Sequence, residues 1–523
     1  MQKMNLQEIS NLLKQRFVDD TFTSLQELPR PSEFADMDKA SNRICKAIQT
    51  NETINIIGDY DADGVISTTI MVTFFKDALG INVNYIIPNR FTHGYGLSPK
   101  IVDMIEEGLV ITVDNGISSY EAAELCKQRG FDLIITDHHT CGENLPQAYA
   151  IINPKRADCS YPFSDICGAN VAWYLCASIK KAMNIEYNLS SLLDLLVIAI
   201  IADVMPMKSV NKTLVKKGFQ ILSTSKRPAF VALKERFGFV DIHEGDIGFK
   251  IAPLINCAGR MEDGSIALEF LLSLNLEEAY VGLEYLISLN EKRKQEQLSI
   301  FEDAKLQANE NDEVIIVASD SWNEGIIGIV AAKLCEKYKK PAFVFSDRGQ
   351  YLKGSARSLG DIHLYDLITC AKENVLGFGG HKGAAGLSVQ KEQFEVFKHT
   401  INTASKTLPK EKIDNTNLIA SIGLSLVGFE LHTLIESYRP YGLENTLPLF
   451  LFEELYVKEI KLIGKNKEYK KLIVTDGIYM IDLLIFVDSK EFYENEKITF
   501  SASIEKNVFR ERINYNLLLK DIF

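Results

Sequence analysis

Short apolar runs that end directly in acidic residues or histidine recur in the first half of the chain, and this pattern constrains the fold most. TINII (53–57) is followed by GDYDADG, LVITV (109–113) by DNG, and DLIIT (132–136) by DHH. Amphipathic stretches such as SPKIVDMIEEG and SSYEAAELCKQRG separate the runs. Buried strands that alternate with helices are typical of a parallel sheet covered by helices on both faces. We therefore predict an α/β fold for this part.

The rest of the chain predicts three further segments. Residues 275–313 contain no Gly or Pro after Gly282, which is typical of a long helix, either a connection between domains or an ordinary surface helix. A second set of alternating strands and helices follows, and about five β-rich runs in the tail predict a small barrel or sandwich. We expect a parallel-sheet domain with an N-terminal extension (1–275), a connecting helix (276–312), a smaller α/β domain (313–410) and a β-barrel (411–523).

Composition indicates where such a protein works. Of the 523 residues, 46% are hydrophobic and 24% charged, which is ordinary for a soluble globular protein. Apolar runs stay shorter than the roughly 20 residues of a membrane helix, and the N-terminus has no signal-peptide core. Nine cysteines without a CxxC pair indicate a reducing compartment, so we predict a cytoplasmic protein without a membrane segment. Cys141, Cys159 and Cys167 leave a zinc site open, but ordinary thiols are the simpler interpretation.

Acidic residues and histidines gather at the predicted carboxyl ends of the strands and of one apolar helix. They are Asp59, Asp61, Asp63, Asp114, Asp137, His138, His139 and Asp203. Because the carboxyl ends of parallel strands line one crevice, we expect these side chains to converge. Oxygen-rich sites with imidazole favour Mn²⁺ or Mg²⁺ over zinc, and this set exceeds what one ion needs. Two ions about 3.5–4 Å apart fit phosphoester hydrolysis, because they lower the pKa of a bound water and stabilise phosphoryl charge.

Each of these segments also has a simpler interpretation. A single Asp at a strand end usually caps a helix or forms a turn, and VDNG alone could be such a turn. DHH alone could be a cap followed by a histidine that only forms a hydrogen bond. Because four such segments occur in one α/β unit, we favour the metal site.

Taken together, the motifs resemble those of the DHH phosphoesterase superfamily. DYDADG, VDNG, TDHH and ADVMP are similar to its four motifs in order and spacing, and GFGGHKGAAG (377–386) resembles the signature of the associated DHHA1 domain. INCAGRM, EGIIGIVAAKL, SARS, IPNRFTHGYGL and RPYGLENTLPLF resemble one branch, the RecJ family of single-strand-specific exonucleases. The resemblance covers nearly the whole chain past residue 50. It implies a DHH domain, a DHHA1 domain and an OB-like barrel.

The resemblance also implies ligands for two cations, Mn²⁺ or Mg²⁺. Asp61 would hold one ion and Asp63 the other, and Asp114 would bridge both. His138 and Asp203 would complete the shell of the second ion.

The same resemblance implies roles in the chemistry for further residues. His139 would lie close to the scissile phosphate and donate to its oxygens or to the leaving group, and Asp114 and Asp137 would support catalysis. Asp59 and Asp137 would orient the metal ligands without binding the ions themselves. Some family members have a histidine at the position of Ile57, so the first ion would have fewer protein ligands and more water here.

The resemblance implies that some of a group of residues beside glycines or small side chains recognise the 5′-terminal phosphate and the following backbone, and we assign this role to the group as a whole. They are Arg90, Arg260, Ser355, Arg357, Ser358, Gly380 and His381. Arginine binds phosphate in a bidentate manner, and a Gly-rich loop lets backbone N–H groups approach it. The glycines of GFGGHKGAAG could instead form a tight turn, and Arg90 and Arg357 could be surface salt-bridge partners.

The net charge of −13, taken alone, argues against nucleic-acid binding. The tail, however, contains segments that are locally basic. VKEIKLIGKNKEYKKLIV (457–474) has six lysines and two glutamates. KNVFRERINY adds three cations and two aromatic residues, Lys506, Arg510, Arg512, Phe509 and Tyr515. Basic strands with aromatic residues suit single-stranded nucleic acid, although a solvated charged face is the simpler interpretation.

The leading hypothesis is a metal-dependent 5′-to-3′ exonuclease that hydrolyses single-stranded DNA to mononucleotides in DNA repair and recombination. The polarity is implied by resemblance only. One alternative is a small-substrate phosphodiesterase for short oligonucleotides or cyclic dinucleotides, but such relatives usually lack a C-terminal barrel. Another is a non-catalytic nucleic-acid-binding scaffold, against which the retained carboxylates argue. A helicase and a single-strand-binding protein are implied partners by family analogy, and we expect a monomer.

Overall fold

The computed structural model describes residues 3–18, 20–410, 417–464, 467–486, 491–509 and 512–523. The chain divides by packing into two units. The larger unit comprises Arg30–Asp203 and Ile221–Asp414, and the smaller unit comprises Met1–Pro29, Val204–Gln220 and Asn415–Phe523. None of the helices in the described ranges combines the length and the apolar character needed to span a bilayer.

The α-helices of the described residues follow in chain order. They are α1 (Leu6–Gln15), α2 (Met37–Gln49), α3 (Ala62–Leu79), α4 (Pro99–Asp103), α5 (Tyr120–Gln128), α6 (Gly168–Ala182), α7 (Leu193–Ala202), α8 (Ser209–Thr224), α9 (Pro228–Phe237), α10 (Glu244–Asp246), α11 (Ala252–Met261), α12 (Ser265–Leu271), α13 (Leu276–Gln307), α14 (Ile327–Tyr338), α15 (Leu364–Thr369), α16 (Phe394–Ser405) and α17 (Phe429–Ser437).

The first sheet of the larger unit is entirely parallel, as predicted. Its strands are β1 (Ile54–Ile57), β2 (Asn84–Ile86), β3 (Leu109–Val113), β4 (Leu133–Thr136) and β5 (Ala150–Ile152). They lie in the order β2-β1-β3-β4-β5, and all but β2 are fully buried, which explains their continuous apolar sequences. The chain moves outward from β1 to β2 and then back to β3. The strand order therefore switches between β1 and β3, where ligands bind in open α/β sheets.

The long helix α13 is continuous over 32 residues. It begins after Asn275, whose side chain accepts a hydrogen bond from the amide of Glu278 at 3.0 Å. It packs against α9, α11, α12 and α14. The predicted connecting helix is therefore present, and it ends at Gln307, before the predicted residue 312.

The second sheet of the larger unit is mixed. Its strands are β6 (Ile315–Ser319), β7 (Ala342–Asp347), β8 (Tyr351–Arg357), β9 (Val375–Gly380) and β10 (Ala384–Gln390), in the order β6-β7-β8-β10-β9. Only β6 and β7 pair in parallel, and the other pairings are antiparallel. Side chains of α15 and α16 share one apolar cluster with this sheet, and those of α14 share another. This is the smaller α/β domain that the alternation of strands and helices predicts.

The smaller unit contains a barrel of five strands, and its first strand in the sequence pairs with the barrel at one side. The strands of this unit are β11 (Leu418–Ser421), β12 (Leu449–Ile463), β13 (Tyr469–Thr475), β14 (Met480–Ile485), β15 (Lys497–Phe509) and β16 (Arg512–Ile522). The order β12-β13-β14-β16-β15 returns to β12 through an additional pairing of β12 with β15. This closure confirms the predicted C-terminal barrel.

The N-terminal segment packs differently from our expectation. Ile9 and Leu13 of α1 are fully buried in the same apolar cluster as Phe450 and Phe500 of the barrel. Residues 1–29 therefore lie with the barrel by packing, whereas we expected them to extend the 1–275 domain. The apolar spacing in the sequence predicts the helix but does not identify the surface that its apolar face covers.

Candidate metal centre

The first acidic segment lies between β1 and α3. Asp61 is the N-cap of α3, and its Oδ1 accepts from the amides of Asp63 at 3.0 Å and Gly64 at 3.2 Å. The oxygens of Asp63 accept from the amides of Gly168 at 2.6 Å and Ala169 at 2.9 Å, at the start of α6. The capping role that we considered for such residues is thus present. It fixes the two carboxylates in place, because helix N-termini stabilise negative charge.

The second segment follows β3. Asp114 is buried and has a φ of 62°, a left-handed conformation that few residues other than glycine adopt. The next residue, Asn115, donates through Nδ2 to the carbonyls of Ile57 and Gly58 at 3.0 Å each and of Val113 at 2.8 Å. Asn115 therefore ties the end of β3 to the end of β1. The sequence does not predict this role for Asn115, because VDNG is equally typical of an ordinary turn.

The third segment follows β4. Asp137 Oδ1 accepts from the amides of His138 at 2.7 Å and His139 at 3.0 Å, and lies 2.7 Å from His139 Nδ1. Its other oxygen accepts from the amide of Ile117 at 2.9 Å. Asp137 therefore has its oxygens occupied and holds the imidazole of His139.

His138 lies at the centre of the remaining carboxylates. Its Nε2 is 3.2 Å from Asp114 Oδ1, 3.6 Å from Asp203 Oδ2 and 3.7 Å from Asp63 Oδ2. Asp203 follows the last residue of α7, as the motif ADVMP predicts. Residues from distant segments of the sequence thus converge on one edge of the sheet.

The convergent side chains form three overlapping groups whose potential ligand atoms lie within 4.8 Å of one another. These groups are Asp59 with Asp61 and Asp114, Asp63 with His138 and Asp203, and Asp114 with His138 and His139. Asp114 belongs to two of the groups, which suits a bridging position. Within the described residues none of these groups contains a cysteine, so the zinc alternative gains no support.

The donor atoms fit divalent cations. Asp59 Oδ1 and Oδ2, Asp114 Oδ1 and Asp203 Oδ2 are buried and have no hydrogen-bond partner in the described part of the chain. Burying ionised carboxylate oxygens without a partner is costly, so the ionised form of this cluster needs compensating positive charge. Carboxylate oxygens with one imidazole are the ligands that Mn²⁺ and Mg²⁺ accept.

The pKa values of Asp59, Asp114 and Asp203 are raised, as expected for carboxyl groups that are buried close together without a neighbouring cation. Burial, and then repulsion from neighbouring carboxylates, raises the pKa of Asp59 and of Asp114 well above the usual range. Burial and the charges of Asp63 and Asp61 raise the pKa of Asp203 to about 8. A bound cation would favour the ionised form of each of these groups.

The surroundings of His139 stabilise the charged form of its side chain, in contrast to those of the three carboxyl groups. Burial alone would lower its pKa, but the hydrogen bond and the charge of Asp137 outweigh burial and raise the pKa to about 9. With Nδ1 directed at Asp137, Nε2 is left to face a ligand, and the hydroxyl of Tyr95 lies 3.4 Å from it. In the sequence Tyr95 belongs to the motif IPNRFTHGYGL, which does not by itself predict a role for it.

Three of the predicted substrate-binding residues, Arg90, Arg260 and Arg357, form a cationic group, which we call the arginine group. Burial, and then repulsion from Arg90, lowers the pKa of Arg260 to about 10, and Arg357 contributes to the same repulsion. The guanidinium of Arg90 lies 3.9 Å from the centre of the Tyr60 ring.

Polar contacts fix these arginines without neutralising them. Arg90 Nε donates to the carbonyl of Gly259 at 3.2 Å and Arg260 Nη1 to that of Gly325 at 3.1 Å. Arg357 Nη1 donates to Ser355 Oγ at 3.1 Å. In the described residues these contacts go to carbonyls and a hydroxyl rather than to carboxylates, which does not match the salt-bridge alternative.

Ser355 and Arg357 also lie against the first turn of α14. A Cβ added to Gly328 would lie 3.0 Å from Ser355 Oγ and 3.2 Å from Arg357 Nη2. A helix N-terminus, a hydroxyl and guanidinium groups that pair with no carboxylate among the described residues are features that favour anion binding.

The other predicted substrate-binding residues, Ser358, Gly380 and His381, differ in what they contact. Ser358 Oγ accepts from the amide of Gly360 at 3.0 Å and donates to the carbonyl of Ile362 at 2.9 Å, so it shapes its own loop. A Cβ on Gly380 would lie 2.4 Å from the carbonyl oxygen of Ala384, so this glycine is needed for the tight β9–β10 connection, in agreement with the turn alternative. His381 lies with His139 in the lining of one cavity of about 1050 Å³.

Nothing in the sequence marks Gly168, but its position beside Asp114 leads to a prediction. A Cβ there would lie 2.5 Å from Asp114 Cβ and Oδ1. We expect Gly168→Ala to displace Asp114 and to lower kcat about 100-fold, because small displacements of reacting groups cost that much. Nothing lies within 4 Å of a Cβ on Gly245, so Gly245→Ala is the control. Equal rates for the two variants in a steady-state nuclease assay would contradict this role.

The barrel offers a smaller basic surface than its sequence suggests. Lys461, Lys471 and Lys497 are paired with Glu459 at 2.8 Å, Asp482 at 2.7 Å and Glu454 at 3.0 Å. The Tyr515 ring lies 5.3 Å from that of His432 and is not a free stacking surface. Tyr456 and Lys458 are exposed on β12. Lys465, Arg510 and the side chains of Phe509 and Arg512 lie outside the described residues.

Comparisons with known proteins agree with this architecture. The chain matches the DHH family, N-terminal domain, over residues 53–200, the DHHA1 domain over 311–407 and the RecJ OB domain over 420–521. It is 31% identical to the single-stranded-DNA-specific exonuclease RecJ of Haemophilus influenzae, covering 95% of this chain and 92% of the relative. It is 30% identical to that of Escherichia coli, covering 99% and 96%.

Solved structures show the same fold. The structure of RecJ from Thermus thermophilus in complex with Mn²⁺ superimposes with a TM-score of 0.84 at 24% identity, covering 100% of this chain and 78% of that one. A crystal structure of exonuclease RecJ bound to manganese is 29% identical, with a TM-score of 0.64, and covers 73% of this chain and 96% of that chain.

Proposed function

Because the chain belongs to the RecJ family of single-stranded-DNA-specific exonucleases, we propose that it hydrolyses the phosphodiester bonds of single-stranded DNA. It works from the 5′ end and releases mononucleotides in DNA repair and recombination. The observation that carries this proposal is the convergence of Asp59, Asp61, Asp63, Asp114, His138 and Asp203 at the switch point of the first sheet.

Two divalent cations, Mn²⁺ or Mg²⁺, belong to this proposal. Asp61 and Asp114, with Asp59 beside them, would hold one ion, and Asp63, His138 and Asp203 would hold the other together with Asp114. When bound, such ions activate water and stabilise negative charge on phosphoryl oxygens. The manganese-bound exonuclease RecJ at 29% identity supports the choice of metal.

His139 supplies a proton in this proposal. Asp137 holds His139 Nδ1 and favours the protonated imidazole, and we assign Nε2 as the donor to a phosphoryl oxygen or to the leaving oxygen. The hydroxyl of Tyr95 faces the same nitrogen and restricts the orientation of the ring.

The arginine group sets the polarity in this proposal. Arg90, Arg260, Ser355 and Arg357 bind a terminal 5′-phosphate at the start of α14, and a strand so anchored presents its first phosphodiester bond for hydrolysis. His381 lies in the same cavity lining as His139 and contacts the strand from the DHHA1 side.

We expect Arg357→Gln to weaken binding of a 5′-phosphorylated strand about tenfold or more, because hydrogen bonds to a charged group contribute about 1.5–3 kcal/mol. Binding of the unphosphorylated strand should change little. Fluorescence anisotropy with both strands measures the difference. Arg348→Gln is the matched control, since Arg348 is paired with Glu324 at 3.1 Å. An equal loss of affinity for both strands would refute the phosphate-binding role.

The barrel favours long strands over small substrates. It corresponds to the RecJ OB domain, and Tyr456 and Lys458 offer an aromatic ring and a cation for single-stranded DNA on β12.

The overall activity is tested with purified protein, Mn²⁺ and end-labelled single- and double-stranded DNA, with products resolved by length. The proposal requires mononucleotides from the 5′ end of the single strand. Internal fragments, or an intact single strand, would contradict it.

The cellular setting is part of the proposal as well. A helicase and a single-strand-binding protein would supply and organise the unpaired substrate. All nine cysteines are free, which supports a cytoplasmic location, and we propose that the protein acts as a monomer.

A further inference from the structure

A groove of about 710 Å³ lies between α12 and the first turns of α13. Its floor is formed where the two helices approach most closely, since a Cβ on Gly282 would lie 3.2 Å from Phe270 Cβ. Ile266, Val281 and Tyr285 contribute to its lining. No residue of the metal centre or of the arginine group lines it, so the proposed reaction leaves this groove unused.

The connection that borders the groove is held rigidly. Asn275 accepts from the amide of Glu278, and Glu278 in return accepts from the amide of Leu274 at 2.9 Å and from Asn275 Nδ2 at 2.8 Å. This reciprocal cap fixes the start of α13. The groove is therefore formed in advance, which lowers the entropic cost of binding.

Apolar side chains stand exposed along and beside this groove. Val281 is 69% exposed and Tyr285 45%, and their i, i+4 spacing places them on one face of α13. Leu274, in the adjoining connection, is 71% exposed. Clustered exposed apolar residues mark interaction sites more often than single ones do.

The charge of the groove identifies its partner. Glu269, Glu277 and Glu278 line it, and no Lys or Arg of the described residues does. A further carboxylate, Glu262, accepts from the hydroxyl of Tyr285 at 2.7 Å. Phosphate groups of DNA would be repelled here, and a second copy of this chain docked by the same surface would bring carboxylates against carboxylates.

We propose that this groove docks an amphipathic helix of a partner protein, with apolar side chains on the groove floor and Lys or Arg side chains paired with the glutamates. Helix-in-groove recognition uses anchors at i, i+3/i+4 and i+7, and charge complementarity sets the choice of partner. This inference is independent of the nuclease activity, because it uses none of the residues assigned to it.

The test uses the full chain and two fluorescein-labelled helical peptides, one of Leu and Lys and one of Leu and Glu in the same pattern. Fluorescence anisotropy at physiological salt measures the affinity of each peptide. Val281→Lys places a cation in the groove. Leu306→Lys is the matched control, because Leu306 is on the same helix, is 88% exposed and gives the same change of net charge.

We expect the Leu–Lys peptide to bind the wild-type chain and the Leu306→Lys variant equally, and Val281→Lys to weaken that binding at least tenfold. The Leu–Glu peptide should not bind, and both variants should degrade single-stranded DNA at the wild-type rate. Equal affinities of the two variants, or binding of both peptides, would overturn the proposal. So would a wild-type dimer that Val281→Lys dissociates, because it would assign the groove to a second copy.

Discussion

Asp114→Asn will lower kcat for hydrolysis of single-stranded DNA by about a thousandfold or more, which corresponds to about 4 kcal/mol in the activation barrier. Asp114 belongs to two of the three ligand groups, and its Oδ1 is buried without a hydrogen-bond partner among the described residues. An amide of the same shape carries no charge and offers only one oxygen. Both cations should therefore bind more weakly, whereas the fold should persist, since removing a buried charge also removes repulsion.

The measurement is a single-turnover nuclease assay combined with a Mn²⁺ titration of each variant. Asp103→Asn is the control, because Asp103 is an exposed carboxylate paired with Arg129 outside the site. An Asp114→Asn enzyme with a near wild-type rate would show that the site is misplaced. An unchanged circular dichroism spectrum excludes unfolding as the cause of the loss.

His139→Ala should lower kcat about 100- to 10,000-fold, the range of general acid–base catalysis, while leaving affinity for Mn²⁺ nearly unchanged. The physical reason is the position of His139, whose Nδ1 is held by Asp137 at 2.7 Å; without bound cations, this hydrogen bond and the charge of Asp137 raise its pKa to about 9. His138→Ala differs, because His138 lies among the carboxylates and its loss should weaken metal binding.

The same titration separates the two histidines. His399→Ala serves as the control, since His399 is exposed on α16 and belongs to none of the three ligand groups. If His139→Ala weakens Mn²⁺ binding as strongly as His138→Ala does, then His139 is a metal ligand and the proton-donor role is wrong.

The sequence predicts the catalytic sheet well for a physical reason. Strands buried on both faces are apolar along most of their length, so the acidic residues and histidines that follow each run mark the strand end. Parallel strands bring those ends to one edge, which is why Asp61, Asp114 and His138 could be grouped without coordinates. The short β-rich runs of the tail predict a small barrel or sandwich, and only the resemblance to the family selects the barrel.

Other features depend on contacts that sequence spacing does not encode. Asn115 is important because its amide reaches three carbonyls of two strands, and Gly168 because a neighbouring segment approaches its Cα. The burial of α1 against the barrel joins the two ends of the chain. Each of these contacts is set by tertiary packing between distant segments, and a single sequence gives no signal that separates it from an ordinary turn or surface helix.

The most direct test of the two-cation site is an anomalous difference map from a crystal of this protein grown with Mn²⁺. The account predicts two peaks, one beside Asp61 and Asp114 and the other among Asp63, His138 and Asp203. A single peak, or manganese bound elsewhere with this cluster vacant, would contradict the account.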